Sequence, residues 1–381
     1  MVTLNNADSV LKSFYLDAVT DALNTKINPF LAKIGKTSAN ISGKDVKKVL
    51  SCGFNNGIGA GTETGDLPTA NGNEYNQMVV GLKNFYGTLE ISDKAIRAAA
   101  DSDGAFVNLL NEEMRTLINT AKLNFGRILF GDGSGVLSTV LDVMDNCIEV
   151  DNVQNFVAGM IVDFVLGSTI RSGLRVVAVD NHNNTIIFES GEALVGMENA
   201  EIVLPGSGDN ELTGLAAIFG NDALYGLERS VIGMKPYIID DAVDVTDAEI
   251  QFVIDNIESN SGSKPDIIIC SWQVRRALME YYRNHNITLP TIEIEGGFKA
   301  FDFNGVPIVV DRFCPKNAMY LLNSENFKLH QLCDWQWLET EDGKILKQTP
   351  GKPVYTATLV KYAELLCDNP SAQGMILFTN V

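Results

Sequence analysis

Long hydrophobic runs are missing from this sequence of 381 residues. No stretch approaches the ~18 consecutive apolar residues that a membrane-spanning helix needs. Residues 1–6 also lack the basic-then-apolar pattern that begins a signal peptide. The sequence therefore predicts a chain that has no membrane partner and is not secreted.

Histidines and paired cysteines are scarce as well. The three histidines are His182, His285 and His330, and none has a second histidine or a cysteine at metal-ligand spacing. The six cysteines are Cys52, Cys147, Cys270, Cys314, Cys333 and Cys367, with no pair at redox spacing. Cys147, Cys270 and Cys367 stand in apolar runs, so we predict reduced, hydrophobic side chains and synthesis in a reducing cytoplasm.

Basic residues are outnumbered by acidic ones, 29 to 48, which gives a net charge of −19. Such a balance argues against a protein that grips nucleic acid over a broad face, since phosphate binding needs clustered lysine and arginine. Residues 1–50 carry seven Lys and four Asp, or +3, which leaves the rest of the chain at −22. This first segment is either a solvated arm or a segment that lies against an acidic surface.

Two glycine clusters, residues 57–61 and 131–135, have the composition of phosphate-binding loops. Neither leads directly into a predicted helix, and no Gly-Lys-Ser/Thr follows, so we predict turns rather than a nucleotide site. Asp132, Asp209 and Glu211 could together hold a calcium ion, but they lack the spacing of an EF-hand. The sequence therefore predicts no catalytic, cofactor-binding or metal-binding residues and no enzymatic activity.

The longest helical pattern runs from residue 104 to residue 130, about 40 Å at 1.5 Å per residue. Ser102 or Asp103 is the predicted N-cap, and Gly131 the predicted left-handed residue at the C-terminal end. The apolar positions of one helix face are Phe106, Leu110, Met114, Leu117, Ala121, Phe125 and Ile128. A helix of this length is suited to spanning a domain, although a core helix of an α+β enzyme has the same pattern.

A long hairpin is predicted before this helix. Strand patterns at 47–52 and 77–91 flank a segment rich in glycine, asparagine and threonine that has almost no core-forming residues. A loop of that length is unusual inside a compact domain. We therefore expect the hairpin to project and to find its contacts on another molecule.

The remaining segments predict a mixture of helices and strands. Residues 7–33 form an amphipathic pattern that Pro29 interrupts, and residues 141–212 read as an inserted all-β unit with turns every 8–12 residues. Its candidate strands are 147–150, 160–166, 174–179, 185–189 and 201–204. Beyond residue 213 we predict helices at 247–260 (with Thr246 as N-cap) and 272–283, and strands at 265–270, 305–311, 318–322 and 355–361. Trp335 and Trp337 point to one strand face, in the core or at a subunit contact.

This order of elements resembles that of the major capsid proteins of tailed bacteriophages (the lambdoid coat-protein fold family) over nearly the whole chain. The likeness rests on the glycine-rich hairpin tip with its Leu-Pro-Thr-Ala, on the junction at 86–96, on the helix and glycine loop at 104–135, and on segments 265–283, 303–311, 319–322 and 363–370. The resemblance implies an α+β fold with an N-terminal arm (1–43), an extended loop (44–91), a peripheral domain with a spine helix (92–140, completed by 346–381) and an axial domain (213–345). The inserted β domain (141–212) departs from the minimal pattern of the family, although some members carry inserted domains.

The resemblance also implies a function. Such a chain would self-assemble through hexameric and pentameric capsomers into an icosahedral shell, which encloses double-stranded DNA without reading its sequence. It would be made in the bacterial host cytoplasm and end in the virion capsid, with a separate scaffolding protein, a portal and room for a decoration protein. Some relatives cross-link a hairpin lysine to a neighbour, and Lys44, Lys47, Lys48 and Lys83 could be donors, but without an identifiable acceptor we predict no cross-link.

Two alternatives remain open at this point. An encapsulin-like compartment shell has the same fold, although those chains usually lack such an insertion. A soluble enzyme with a dispersed site in residues 213–345 is the second alternative.

Overall fold

The structure, a computed structural model, describes residues 28–381 apart from 53–56, 67–68, 70–71, 73, 95–102, 190–193, 221, 287–290, 295–297 and 341–342. The described chain is an α+β fold, as the sequence predicts.

The described chain begins with a short helix, α1 (Pro29–Lys33), followed by β1 (Gly35–Thr37). The Asn28 side chain accepts a hydrogen bond from the Leu31 N–H (2.7 Å), and Pro29 occupies the first helical turn, where its missing N–H costs nothing. Phe30 is buried edge-to-face on Phe327, 5.0 Å between ring centroids. Only the end of the amphipathic pattern predicted at 7–33 is therefore observed, since residues 7–27 lie outside the described part.

The hairpin is shorter than predicted. Its strands are β2 (Ile41–Ser42), β3 (Asp45–Cys52) and β4 (Glu74–Gly81), and the next strand is β5 (Lys83–Ser92). β3 and β4 pair antiparallel along their whole length. The prediction of one strand over 77–91 is wrong, because the chain changes sheets at Leu82, whose N–H donates to the Lys44 carbonyl (2.8 Å). β4 belongs to the hairpin, whereas β5 pairs with a strand of the body.

The long helix, α2, covers Asp103–Ile128, or ~39 Å. On its predicted face Met114, Phe125 and Ile128 are buried and Leu117 and Ala121 half-buried, while the Phe106 and Leu110 side chains and Ser102 lie outside the described part. Phe125 stacks edge-to-face on Phe85 of β5, with centroids 5.4 Å apart.

The end of α2 differs from the prediction. Gly131 does not adopt a left-handed conformation. Its N–H closes a tight turn on the Ile128 carbonyl (3.0 Å), and the first glycine with a positive φ is Gly133, at 93°. The prediction for Gly131 is therefore wrong by two residues.

Six strands close into a barrel after α2. They are β6 (Val136–Met144), β7 (Cys147–Val150), β8 (Ile161–Leu166), β9 (Thr169–Asp180), β10 (Thr185–Phe188) and β11 (Glu201–Val203). Each of the five predicted strands is present, and β6 was not predicted. Because β6 pairs with both β7 and β11, the barrel begins at Val136 rather than at residue 141.

The rest of the chain supplies three helices and twelve strands within the described residues. In order they are α3 (Leu215–Gly220), β12 (Ala223–Leu224), β13 (Leu227–Glu228), β14 (Tyr237–Ala242), α4 (Asp247–Ser261), β15 (Ile267–Cys270), α5 (Trp272–Asn284), β16 (Thr291–Ile294), β17 (Phe298–Phe303), β18 (Val306–Val310), β19 (Ala318–Leu322), β20 (Phe327–Trp337), β21 (Lys347–Gln348), β22 (Val354–Cys367) and β23 (Gly374–Phe378).

The prediction for α4 is confirmed in detail. The Thr246 hydroxyl accepts a hydrogen bond from the Glu249 N–H (3.2 Å), and Gly262 ends the helix with a φ of 67°. The residues that the 3.6-residue period places on the core face are all buried: Ile250, Val253, Ile254 and Ile257.

Two sheets organise the body. The seven-stranded sheet has the order β14-β23-β19-β15-β18-β17-β16 and carries α4 and α5 on one core. The other sheet has the path β1-β20-β22-β21, with β5 paired to β22 under α2. The two sheets therefore do not follow the expected limits of 213–345 and 346–381. β20 lies within 213–345 but joins the sheet under α2, and β23 lies within 346–381 but joins the seven-stranded sheet.

Candidate assembly surfaces

The base of the hairpin is fixed to its own chain. Val46 and Met78, on its inner face, are buried, and the Val79 N–H donates to the Tyr225 carbonyl (3.1 Å). Lys48 forms a partly buried salt bridge with Asp368 (2.5 Å). The hairpin therefore leaves the body from a defined anchor.

The outer face and the tip of the hairpin are exposed. Val49 and Val79 are exposed on the outer face, and Tyr75 has 67% of its surface in solvent. Residues 57–66 of the tip are exposed throughout, with Ile58 at 85%. A strand ribbon with apolar side chains in water is typical of a surface that is covered in an assembly. Because the 57–61 glycines connect two strands of one hairpin, they do not lead into the helix that a phosphate loop requires.

A cluster of charged groups surrounds the hairpin anchor. The Asp368 carboxylate that accepts from Lys48 also lies 3.7 Å from the ammonium of Lys328. His330 is buried beside them, and its Nδ1 contacts the carbonyl of Ala39 at 3.0 Å. Burial lowers the pKa of His330, and the two lysines lower it further, against the opposing effects of the Ala39 contact and Asp368. This cluster joins residues of the arm, the hairpin, β20 and the segment that follows β22.

The junction between α2 and the barrel is held by a buried ion pair. Arg127, in the last turn of α2, donates to both carboxylate oxygens of Glu211, from Nη1 at 2.9 Å and from Nη2 at shorter range. The guanidinium also donates to the side-chain oxygen of Asn124. Gly214 then passes over the open end of α2, where a Cβ would lie 2.5 Å from the Gly131 carbonyl oxygen and 2.6 Å from that of Ile128. Only glycine fits this crossing.

The three acidic residues considered for calcium do not form a common cation site. The Glu211 carboxylate accepts hydrogen bonds from Arg127, and the Asp132 carboxylate accepts from the Ser134 N–H (2.9 Å) and hydroxyl (2.6 Å). Asp209 lies in the same junction through its backbone, whose N–H donates to the Ser134 carbonyl (2.7 Å). Within the described residues no group of three His, Cys, Asp or Glu side chains could hold a metal ion.

The other residues that the sequence analysis considered are dispersed. His182 lies in the β9–β10 turn, His285 at the end of α5 and His330 in β20. Trp335 and Trp337 are both buried in the core, as predicted, and Trp335 stacks edge-to-face on Phe125 of α2 (6.1 Å). Cys270 and Cys367 are buried as predicted, whereas Cys147 is half-buried, and burial raises the pKa of the Cys270 thiol to about 12.

Of the four lysines considered as cross-link donors, two are engaged within the chain. Lys48 pairs with Asp368, and the ammonium of Lys83 donates to the Asp209 carbonyl (2.7 Å). Lys44 and Lys47 are exposed at the hairpin base.

Two buried ionisable residues of β22 escaped the sequence analysis, because both stand in an apolar strand pattern. Lys361 is fully buried and donates to Asp334 (2.7 Å) and Gln331 (2.8 Å). Glu364 accepts from the Thr213 N–H (2.8 Å) and the Leu365 N–H (3.0 Å), yet burial raises its pKa to about 8. Both tie β22 to neighbouring segments of the body.

No helix in the described part of the chain combines the length and the apolar character needed to cross a bilayer. Neither the protein-family models nor the curated protein sequences that were compared with this chain give a match.

Solved structures do resemble it. The capsid protein of cyanophage A-1(L) matches with a TM-score of 0.55 at 10% identity, covering 97% of this chain and 95% of its own. The SrpI encapsulin of Synechococcus elongatus PCC 7942 (TM-score 0.49, 9% identity, 92% and 88% covered) and the capsid protein of a native GTA particle (0.48, 10%, 92% and 89%) are also similar. A TM-score below 0.5 does not establish a shared fold, so the fold assignment does not depend on these two structures.

The cyanophage likeness spans 97% of this chain, and it agrees with the resemblance found in the sequence. This protein has the fold of the tailed-phage capsid proteins.

Proposed function

We propose that this chain is the major capsid protein of a tailed phage and that its copies form an icosahedral shell around double-stranded DNA. The observation that carries the proposal is the hairpin, which is anchored on its own body at Val46 and Met78 but exposes Val49, Tyr75 and Ile58 to water. On a capsid fold, such a ribbon gains its missing contacts from the next copy of the chain.

The arrangement supports a structural role for the buried charges as well. Arg127 with Glu211 and Lys361 with Asp334 join elements of the body, where they fix the geometry of the fold. We propose that the shell is built from hexameric and pentameric capsomers, because heterologous contacts between identical copies close into rings. A separate scaffolding protein and a portal would direct its assembly in the host cytoplasm. The net charge of −19 would limit adhesion of packaged DNA to the shell.

The test is to express the chain alone and with its candidate scaffolding protein, and to examine the product by size-exclusion chromatography and negative-stain electron microscopy. Closed particles of uniform size are expected. Elution only as a monomer or small oligomer under all conditions would contradict the proposal and favour a soluble enzyme.

The contents of purified particles separate the phage shell from a compartment shell of the same fold. Double-stranded DNA inside particles from infected or induced cells is expected for a virion. A single co-purified enzyme inside DNA-free particles would instead identify an encapsulin-like compartment.

A further inference from the structure

Charge is strongly segregated within the domain that carries α4 and α5. Residues 236–261, which include β14 and α4, contain five Asp and two Glu and no Lys or Arg. The next helix, α5, carries Arg275, Arg276 and Arg283 against a single acid, Glu280. Two adjoining segments of one domain therefore present opposite charge.

The exposed side of α5 bears a stripe of four residues, Trp272, Arg276, Met279 and Arg283, hereafter the basic stripe. Their spacings of four, three and four place them on one side of the helix. All four are exposed, and 47% of the Trp272 surface is in solvent. An exposed tryptophan and an exposed methionine beside two arginines are the composition of a protein contact rather than of a solvated helix face.

The basic stripe faces away from α4. Tyr281 follows Trp272 by nine residues, which at 3.6 residues per turn puts it ~180° around α5. Its hydroxyl donates to the carboxylate of Asp247, the first residue of α4, at 2.7 Å. Because Tyr281 marks the side of α5 that meets α4, the stripe lies on the opposite side.

The acidic residues collect around the end of β14 and on α4. Asp240, Asp241, Val243 and Asp244, at the end of β14, together with Phe252 of α4, form what we call the acidic flank, and all five are exposed. β14 is the edge strand of the seven-stranded sheet, and the ring of Phe252 lies 6.4 Å from that of Tyr237 on this strand. Phe252 has 53% of its surface in solvent. The acidic flank, like the stripe, thus combines charge with an exposed aromatic ring.

Within the described residues, no salt bridge neutralises these charges. In the described residues the salt bridges involve Lys33, Lys48, Arg127, Lys328 and Lys361, and neither arginine of the stripe nor any aspartate of the flank takes part in one. Charges of opposite sign on two different surfaces of one domain match the requirement of a heterologous contact, in which different surfaces of identical copies meet.

We propose that the basic stripe of one copy docks on the acidic flank of the next copy within a capsomer. The inference rests on the proposed function, since it assigns a contact inside the proposed ring. Trp272 and Phe252 supply the apolar centre of this contact, and Arg276 and Arg283 face Asp241 and Asp244 around it. The charges select the partner surface and its register, whereas the aromatic rings supply most of the buried apolar area.

The test uses charge reversal in the full chain. R276E/R283E is expected to reduce the yield of capsomers and particles by roughly tenfold or more, because like charges then meet across the contact. D241R/D244R is expected to do the same. The combined four-residue variant exchanges the two charges and is expected to restore assembly. Circular dichroism and thermal melting of each unassembled variant verify that the subunit still folds.

R171E/R175E is the matched control, since it makes the same change of net charge on exposed residues of the barrel strand β9. This control is expected to assemble like the unmodified chain. Normal assembly of R276E/R283E would overturn the inference, and so would a folded four-residue variant that does not regain particle assembly. Either result would point to a different partner for the stripe. Failure of the unmodified chain to form particles would instead remove the proposed function, and the inference with it.

Discussion

Arg127 and Glu211 form a buried two-point ion pair although 84 residues separate them in the sequence. Their side chains are 6% and 4% exposed. The pair joins the last turn of α2 to the segment that returns from the barrel, so the inserted barrel is tied back to the helix from which it departs. A buried pair of this kind fixes geometry, and the loss of one partner costs more than the pair contributes.

Arg127→Ala is therefore expected to destabilise the subunit by about 3 kcal/mol, because it leaves the Glu211 carboxylate buried without a partner. Chemical denaturation of the unassembled subunit measures the effect. Arg115→Ala, on the exposed side of the same helix, is the control and is expected to change stability by less than ~0.5 kcal/mol. Equal effects of the two substitutions would contradict the role assigned to the pair.

Glu364 is expected to make the stability of the subunit fall as pH rises. Its pKa of about 8 in the folded chain lies above the ordinary value of 4.5. Below pH 4.5 the carboxyl is protonated in both the folded and the unfolded chain, so its burial does not lower the stability there. The penalty grows between pH 4.5 and 8, where the unfolded chain releases the proton, and it is complete above pH 8.

Glu364→Gln removes this titration. The free energy of unfolding of the variant is expected to rise progressively above that of the parent chain from pH 5 to pH 8, by an amount on the order of 3 kcal/mol at pH 8. Urea titrations at several pH values test this, with Glu201→Gln on an exposed barrel position as the control. A constant difference between variant and parent over that range would show that Glu364 ionises normally in the fold.

Gly214 is expected to tolerate no side chain. A Cβ at this position would lie 2.5 to 2.7 Å from three backbone carbonyl oxygens at the end of α2, and backbone atoms cannot yield as a flexible side chain does. Gly214→Ala should lower the stability of the subunit by about 3 kcal/mol, near the upper end for overpacking. Gly208→Ala is the matched control, because a Cβ there meets nothing within 4 Å. A stable Gly214→Ala subunit would mean that the crossing is looser than the structure shows.

Deletion of residues 57–73 is expected to separate folding from assembly. Residues 57–66, the continuous described part of this tip, are exposed throughout and so have no core-forming role. The shortened chain should remain a soluble, folded subunit by circular dichroism, yet it should form no closed particles by electron microscopy. If it assembles normally, the hairpin tip is not an assembly contact.

Local sequence patterns predicted those elements that are specified by neighbouring residues. α4 was predicted within one residue because its cap and its apolar face lie within fifteen positions of each other. The barrel strands β7, β8, β10 and β11 were located for the same reason, since turns separate them clearly.

Features that depend on distant partners were missed. The break at Leu82 is set by its pairing with Lys44, and a continuous alternating pattern through β4 and β5 concealed it. Residues 327–337 and 374–378 exchange sheets through pairings with strands far away in sequence, which no local period reveals. Lys361 and Glu364 were overlooked because a buried charge becomes recognisable only when its partner segment is known.

The backbone hydrogen bond from Asp209 to Ser134 closes the two ends of the barrel on each other at 2.7 Å. The barrel is therefore an insertion whose two ends adjoin, so it can be replaced as a unit. A short turn grafted between Ser134 and Asp209 should leave the rest of the subunit in place, and a foreign domain with close termini could be exchanged for the barrel on every copy in a particle.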